Sequence, residues 1–223
     1  MNIKELRQIP RQELAALLAR IPFFKELRQR DPAQLQLLLT YSCLVALAPG
    51  ETIMRRGEKG TWLYFLVKGT LLVYRDQPQS GEEINTITPG ELFGDLAQLG
   101  DNERKATVAA SPDRPALLFA CDFKAFGALD NFSQVHLASK LLFYRTVVHS
   151  IRWRLEVLRM EEPKHPLVAE LLKLPICAVG GDGVEALRAL HQHARSLAAI
   201  LMRWTGADGH ATELFVAAAI SET

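Results

Sequence analysis

From Cys43 to Asp122 the chain is cut into short apolar segments by Gly, Pro, Asp and Asn, recurring at intervals of about ten residues. Such punctuation leaves no room for a long helix. Seven segments read as strands: Cys43 to Ala48, Glu51 to Arg55, Trp62 to Lys68, Thr70 to Asp76, Ile84 to Thr88, Lys105 to Ala110 and Ala116 to Cys121. The breaks between them are Pro49-Gly50, Gly57 with Gly60, Gly69, Pro78 to Gly81, Pro89-Gly90 and Ser111-Pro112-Asp113. Many short strands with no helical period between them exclude an alternating βα chain and predict an antiparallel β-barrel or jelly roll.

The flanks carry a different period. Leu14, Leu17 and Leu18, then Leu35, Leu37, Leu38 and Leu39, are spaced for helices over Gln12 to Leu39. Pro22 stops or bends the first of these, and Phe23-Phe24 behind it are placed to clamp helices onto another layer. From Asn131 to Met160 the chain has neither Gly nor Pro. Leu141, Val148 and Leu155, each followed three residues on by Tyr144, Ile151 and Leu158, form an a/d seam over roughly three heptads. A long helix with such a seam needs a partner, which is either the barrel or its mate in a homodimer, and the homodimer is the expectation. After Pro163 and Pro166 come a short helix, Leu167 to Leu174, a Gly180-Gly181-Asp182-Gly183 break, an apolar helix from Val184 to Thr205 and a last apolar segment around Leu214, Phe215, Val216 and Ile220. The expected organisation is α+β in four parts: N-terminal helices (1–41), β-barrel (42–130), long dimerisation helix (131–160) and a mainly helical extension (161–223).

Lys+Arg 26 against Asp+Glu 25 gives a formal net charge of +1, so no overall field draws the chain to nucleic acid or an anionic membrane. No apolar run approaches the roughly 20 residues needed to span a bilayer, and the polar N-terminus lacks a signal-peptide core, so a cytoplasmic protein is expected. Cys43, Cys121 and Cys177 form no CxxC pair and have no neighbouring His, and they read as buried thiols rather than disulfide or zinc ligands. No histidine precedes His136, which removes the strand-borne imidazoles of a metal-binding cupin. His191 and His193, two apart on a helix, point to different faces. With no Ser/His/Asp or Cys/His set placed for nucleophilic catalysis, neither enzyme activity, metal nor cofactor is expected.

The informative stretch is Pro89-Gly90-Glu91-Leu92-Phe93-Gly94-Asp95-Leu96-Ala97, followed after a short insert by Arg104-Lys105-Ala106-Thr107-Val108. Gly94 lets backbone approach a ligand closely, and the single helical turn from Asp95 to Gln98 begins with unpaired N–H groups. Arg104 can give a paired, charge-assisted contact to phosphate oxygens. A carboxylate at Asp95 repels phosphate but accepts from a ribose hydroxyl, so the pair selects a cyclic phosphodiester that carries both.

At these residues the sequence resembles the cyclic nucleotide-binding domain family, whose phosphate-binding cassette reads approximately F-G-E-[LI]-A, then Arg, one residue, Ala and often Thr. Here it stands as Phe93-Gly94-Asp95-Leu96-Ala97 and Arg104-Lys105-Ala106-Thr107. The resemblance also covers Phe23-Phe24, Pro49-Gly50-Glu51 with Ile53 and Gly57, and Tyr64-Phe65-Leu66-Val67-Lys68-Gly69 with Val73, and it spans about Ile21 to Arg159. It implies cAMP or cGMP as ligand, with wall or backbone contacts from Gly94, Leu96, Ala97 and Ala106, the phosphate on Arg104, and Asp95 at the ribose 2′-hydroxyl. Aspartate is one methylene shorter than the family's glutamate, and a lost charged hydrogen bond weakens binding by roughly 1.5 to 3 kcal/mol. Lys105 either adds charge near the phosphate or points outward. The resemblance also implies a base-capping residue from the long helix, for which Thr146, His149 and Ser150 are the polar candidates.

Three functions fit these residues. A barrel can keep the fold, bind no nucleotide and serve as an interaction module, and a Crp/Fnr-type regulator with an atypical DNA-binding domain would join the barrel to a DNA-reading tail. Against the latter, Lys164 to Thr223 holds five Lys/Arg and six Asp/Glu, whereas phosphate contacts demand a basic face. Val184, Leu187, Leu190, Leu197, Ile200, Leu201 and Trp204 also give the last helix a broad apolar face suited to burial. The expectation is a cyclic nucleotide sensor that signals through a protein partner and not through DNA.

Overall fold

The computed structural model describes residues 1–78, 83–100, 102–175 and 181–206. Its elements, in chain order, begin with β1 (Asn2–Glu5), α1 (Arg11–Leu18), α2 (Pro22–Arg30) and α3 (Pro32–Thr40). The barrel follows as β2 (Ser42–Leu47), β3 (Thr52–Met54), β4 (Trp62–Lys68), β5 (Leu71–Tyr74), β6 (Glu83–Ile87), β7 (Leu92–Phe93), α4 (Asp95–Gln98), β8 (Thr107–Ala110) and β9 (Ala116–Asp122). Three helices complete the chain, α5 (Leu137–Glu161), α6 (Val168–Lys173) and α7 (Val184–Trp204). The strands make two antiparallel sheets in the orders β1-β2-β9-β4-β7 and β3-β8-β5-β6.

Period-two alternation decides which side chains fill which core. On β4, Tyr64 and Leu66 point between the sheets, as do Leu118 and Ala120 on β9, where they meet Met54, Leu71 and Val108 of the other sheet. Leu63, Phe65 and Val67, with Phe119 and Cys121, turn outward into a second core that the helices cover. That is why β4 is apolar at nearly every position: both of its faces are buried. Phe23 and Phe24 supply the clamp. The Phe24 ring lies 4.7 Å from Phe119 and 5.1 Å from Phe65, and Phe23 lies 5.9 Å from Phe143 of α5.

Several boundaries depart from the sequence pattern. Residues 2–5 are not helical but pair with β2 as an edge strand. Pro22 and Pro32 each open a helix at its first turn, where a missing N–H costs nothing, and Asp31 caps α3 by accepting from Gln34 N at 3.1 Å. β7 is too short, at two residues, for its alternation to show. The long helix starts at Leu137 rather than Asn131. Lys140, 1% exposed, donates to the carbonyls of Ala128 at 2.5 Å and Leu129 at 3.2 Å and so holds the preceding segment against the helix.

The seam of α5 finds its partner within the chain. Leu141, Tyr144, Val148, Ile151 and Leu155 are buried, and α7 packs along α5 with Leu187, Leu190, Ala194, Leu197, Ala198 and Leu201 buried in the same core. The ground for a homodimer through this seam, that it would otherwise face water, is thereby removed. Cys121 is buried and its thiol is pushed up to about 11 by desolvation, Cys43 is half-buried, and Cys177 and the segment from Leu214 to Ile220 lie outside the described residues. No helix among the described residues is long and apolar enough to cross a membrane.

Candidate functional site

The site is built where β7 leaves the first sheet. β7 pairs with β4, setting Phe93 opposite Tyr64 with the rings stacked at 5.1 Å. Gly94 then turns the chain at φ 82 and α4 begins. A Cβ on Gly94 would lie 2.8 Å from Arg104 Nη1 and 3.0 Å from the Trp62 carbonyl, so this glycine is required both by its left-handed backbone and by the guanidinium beside it.

Arg104 is 4% exposed. Its backbone is held by the turn before β4, with Arg104 N donating to Glu58 O at 2.8 Å and Gly57 N to Arg104 O at 2.9 Å. The side chain donates to Trp62 O at 2.8 Å and to Gly94 O at 3.2 Å, and the guanidinium carbon sits 5.7 Å from the Tyr64 ring centre. Gly60 backs it so closely that a Cβ there would meet Nη2 at 2.7 Å. Burial pulls the guanidinium below its ordinary value, opposed by Tyr64, Glu58 and Asp95, and Tyr64 is raised by its own burial. Two carbonyls and the Tyr64 side chain thus aim a planar fork of five N–H groups beside the cavity, a donor set that suits an anion.

Asp95, 1% exposed, opens α4. Arg154, from the C-terminal half of α5, donates to its Oδ2 at 2.5 Å. Its Oδ1 is buried and has no hydrogen-bond partner among the described residues. Both side chains line a cavity of about 100 Å³ together with Phe93, Gly94, Leu96, Ala97, Lys105 and Ala106. Met54, Val73 and Val108 supply its apolar wall, and Leu201 of α7 and Thr205 just past its end complete the lining.

Of the nine cassette residues singled out in the sequence, eight therefore line one cavity. Thr107 does not: its hydroxyl accepts from Arg56 N at 3.1 Å and fastens the segment after β3 to β8. Thr146, His149 and Ser150 are not brought to the cassette either. They face a separate cavity of about 410 Å³ beside Pro22, Phe65 and Trp153, and the long helix instead presents Arg154 to the site. Sequence reasoning missed Arg154, Gly60 and the two α7 residues. Gly60 reads only as a turn signal, and an arginine on an amphipathic helix carries no mark of its distant partner.

With that geometry in view, the comparisons are specific. Residues 44–129 match the family described as the cyclic nucleotide-binding domain. The barrel belongs to that family. The cyclic nucleotide-binding domain is 36% identical over 80 residues to the type II regulatory subunit of a Drosophila melanogaster cAMP-dependent protein kinase, a match covering 36% of this chain and 21% of that protein. It is 32% identical over 109 residues to an Eimeria tenella cGMP-dependent protein kinase, covering 49% of this chain and 10% of the kinase. The cyclic AMP receptor protein of Thermus thermophilus is 30% identical over 146 residues, 64% of this chain and 66% of that protein. Among solved structures, a Geobacter metallireducens protein named for cyclic nucleotide binding superposes with a TM-score of 0.51 at 18% identity, over 66% of this chain and 98% of its own, and shares the fold. The chain thus spans only a tenth to a fifth of the two kinase-related proteins, and the domain is what it has in common with them.

Proposed function

We propose that the domain binds a cyclic nucleotide, cAMP or cGMP, in the cavity between the cassette and the helices, and that it works as a cytoplasmic regulatory module read by a protein partner. One observation carries the reading: Asp95, whose buried Oδ1 has no partner among the described residues, lines the same cavity as the Arg104 fork. An orphaned carboxylate oxygen costs free energy unless a donor arrives, and a ribose hydroxyl is such a donor. The phosphate then takes the remaining N–H groups of Arg104, while Met54, Val73 and Val108 offer an apolar wall to the base. The printed names of the relatives, cAMP- and cGMP-dependent, favour the same ligand class without choosing between its members.

A second reading, a barrel that binds no nucleotide, is favoured by the size of the cavity: about 100 Å³ is small beside the roughly 300–1,000 Å³ of ligand pockets. A DNA-reading tail gains nothing from α7, whose apolar face is already committed to α5. Calorimetry of nucleotide-stripped protein against cAMP and cGMP decides between binding and a silent barrel. Binding by the wild type should fall by about tenfold to a hundredfold in Arg104→Ala, the value of a lost charge-assisted contact. No heat from either nucleotide at millimolar concentration establishes the silent barrel.

A further inference from the structure

The cassette cavity does not end at the helices. On their far side lies a second cleft of about 390 Å³, bounded by β6, Glu161 and the exposed ring of Trp153. Arg154, Leu201 and Thr205 line both spaces and, with Ile84 and Asn85 of β6 and with Glu91, form the partition between the two. Arg154 is fixed there by Asp95, the same carboxylate that the proposed ligand requires. The closed room is smaller than a ligand pocket, and the room beyond the partition is of ligand size.

We propose that the last turn of α7 and the Arg154–Asp95 pair form an in-chain gate, so that the cassette is self-inhibited and a cyclic nucleotide binds only by opening it. The inference rests on the nucleotide-binding reading and adds its regulation. Asp95 keeps one oxygen for a ribose hydroxyl while the other holds Arg154 in the wall, and a room of about 100 Å³ with Arg154 and Leu201 in that wall admits a cyclic nucleotide only if they move. The body of α7 stays in place, because Leu187, Leu190, Ala194 and Leu197 are buried against α5. Beyond buried Leu201 the final turn is held more lightly: Arg203 pairs with Glu170 at the surface and partly buried Trp204 stacks on His165 at 4.2 Å, both contacts to α6 and its approach. Opening is therefore a local movement of residues 201–205, and the state of that turn is the signal offered to a partner. A ligand moves such an equilibrium only through its different affinity for the two states, and an open state populated only in part weakens apparent binding by that fraction.

The test uses the full chain, with cAMP and cGMP as probes. Arg154→Gln removes the latch, and Leu201→Ala trims the partition. Each should tighten nucleotide binding, Arg154→Gln by about tenfold. Hydrogen exchange should show residues 201–205 exchanging faster when nucleotide is added to the wild type, and Arg154→Gln should raise exchange there and in α4 without any nucleotide. Weaker or unchanged binding in Arg154→Gln, together with greater protection of residues 201–205 in the complex, overturns the gate while leaving nucleotide binding intact. Binding by Arg154→Gln but not by the wild type supports it. If no protein in the set binds either nucleotide, the underlying reading fails and the gate falls with it.

Discussion

Gly94→Ala is the substitution that most directly separates the fold of the cassette from its function, because Gly90 provides a matched control four residues away. Both glycines have left-handed backbones, at φ 82 and φ 98, and an alanine in that region costs about 1–2 kcal/mol. Part of that cost is offset by about 0.4–1 kcal/mol from the stiffer unfolded chain. The surroundings differ. A Cβ at Gly90 meets nothing nearer than the Arg20 carbonyl at 3.8 Å, whereas at Gly94 it meets Arg104 Nη1 at 2.8 Å and Trp62 O at 3.0 Å. Arg104 must then shift and loosen its bonds to two buried carbonyls, a further loss of about 1–3 kcal/mol. Gly90→Ala should therefore melt only a few degrees below wild type, at about 2–4 °C per kcal/mol for a chain of this size, and bind nucleotide unchanged. Gly94→Ala should melt lower still and lose at least tenfold in affinity. Urea midpoints and calorimetry on the pair measure both quantities. Equal destabilisation of the two variants, or normal binding by Gly94→Ala, would refute the claim that this glycine exists to seat the arginine.

Acidification should loosen the packing of α5 and α7. Burial lowers both His191 and His193 from their ordinary 6.5, with Arg195 and Arg152 respectively adding to the effect, so the unfolded chain takes up protons first as pH falls. Their contribution to stability is complete above about pH 6.5 and is lost below it, which urea midpoints at about pH 7.5 and 5.5 should show, with a flatter dependence in the double His→Gln variant. Leu155→Ala, at a fully buried position between the two helices, should cost about 2–5 kcal/mol, while Met160→Ala, 74% exposed on the same helix, should stay within about 0.5 kcal/mol.

The barrel was legible because its strands are short, separated by turn residues and alternate in burial, all of which are local properties. The cassette was legible for the same reason, since Phe93 to Ala97 and Arg104 to Ala106 lie within fourteen residues and the turn between them brings them to one wall. What the sequence withheld was every relation between distant elements. The heptads of α5 correctly announce a face that must be buried, but periodicity specifies a face and not its partner. An in-chain helix with eight buried apolar positions satisfies α5 as well as a second copy would.

The same limit governs the helix side of the site. Thr146, His149 and Ser150 lie up to two turns before Arg154 on α5, and a change in where the helix begins or how it tilts exchanges one set for the other. The helix starts six residues later than its uninterrupted run of helix-compatible residues suggests, and buried Lys140 donates to the carbonyls of Ala128 and Leu129 in the chain before it. An arginine thereby reaches Asp95 across 59 positions of sequence. The shortened acid of the cassette acquires a different meaning from this contact. An aspartate set back by one methylene is poorly placed to reach a ribose unaided, yet it is well placed to hold an arginine that fills the gap. If the ligand must displace that arginine, the substitution of Asp for Glu sets the balance between the closed and occupied states. Asp95→Glu in the full chain should then alter nucleotide affinity and the exchange of residues 201–205 together. A change in affinity alone would assign the short carboxylate to ligand contact and not to the latch.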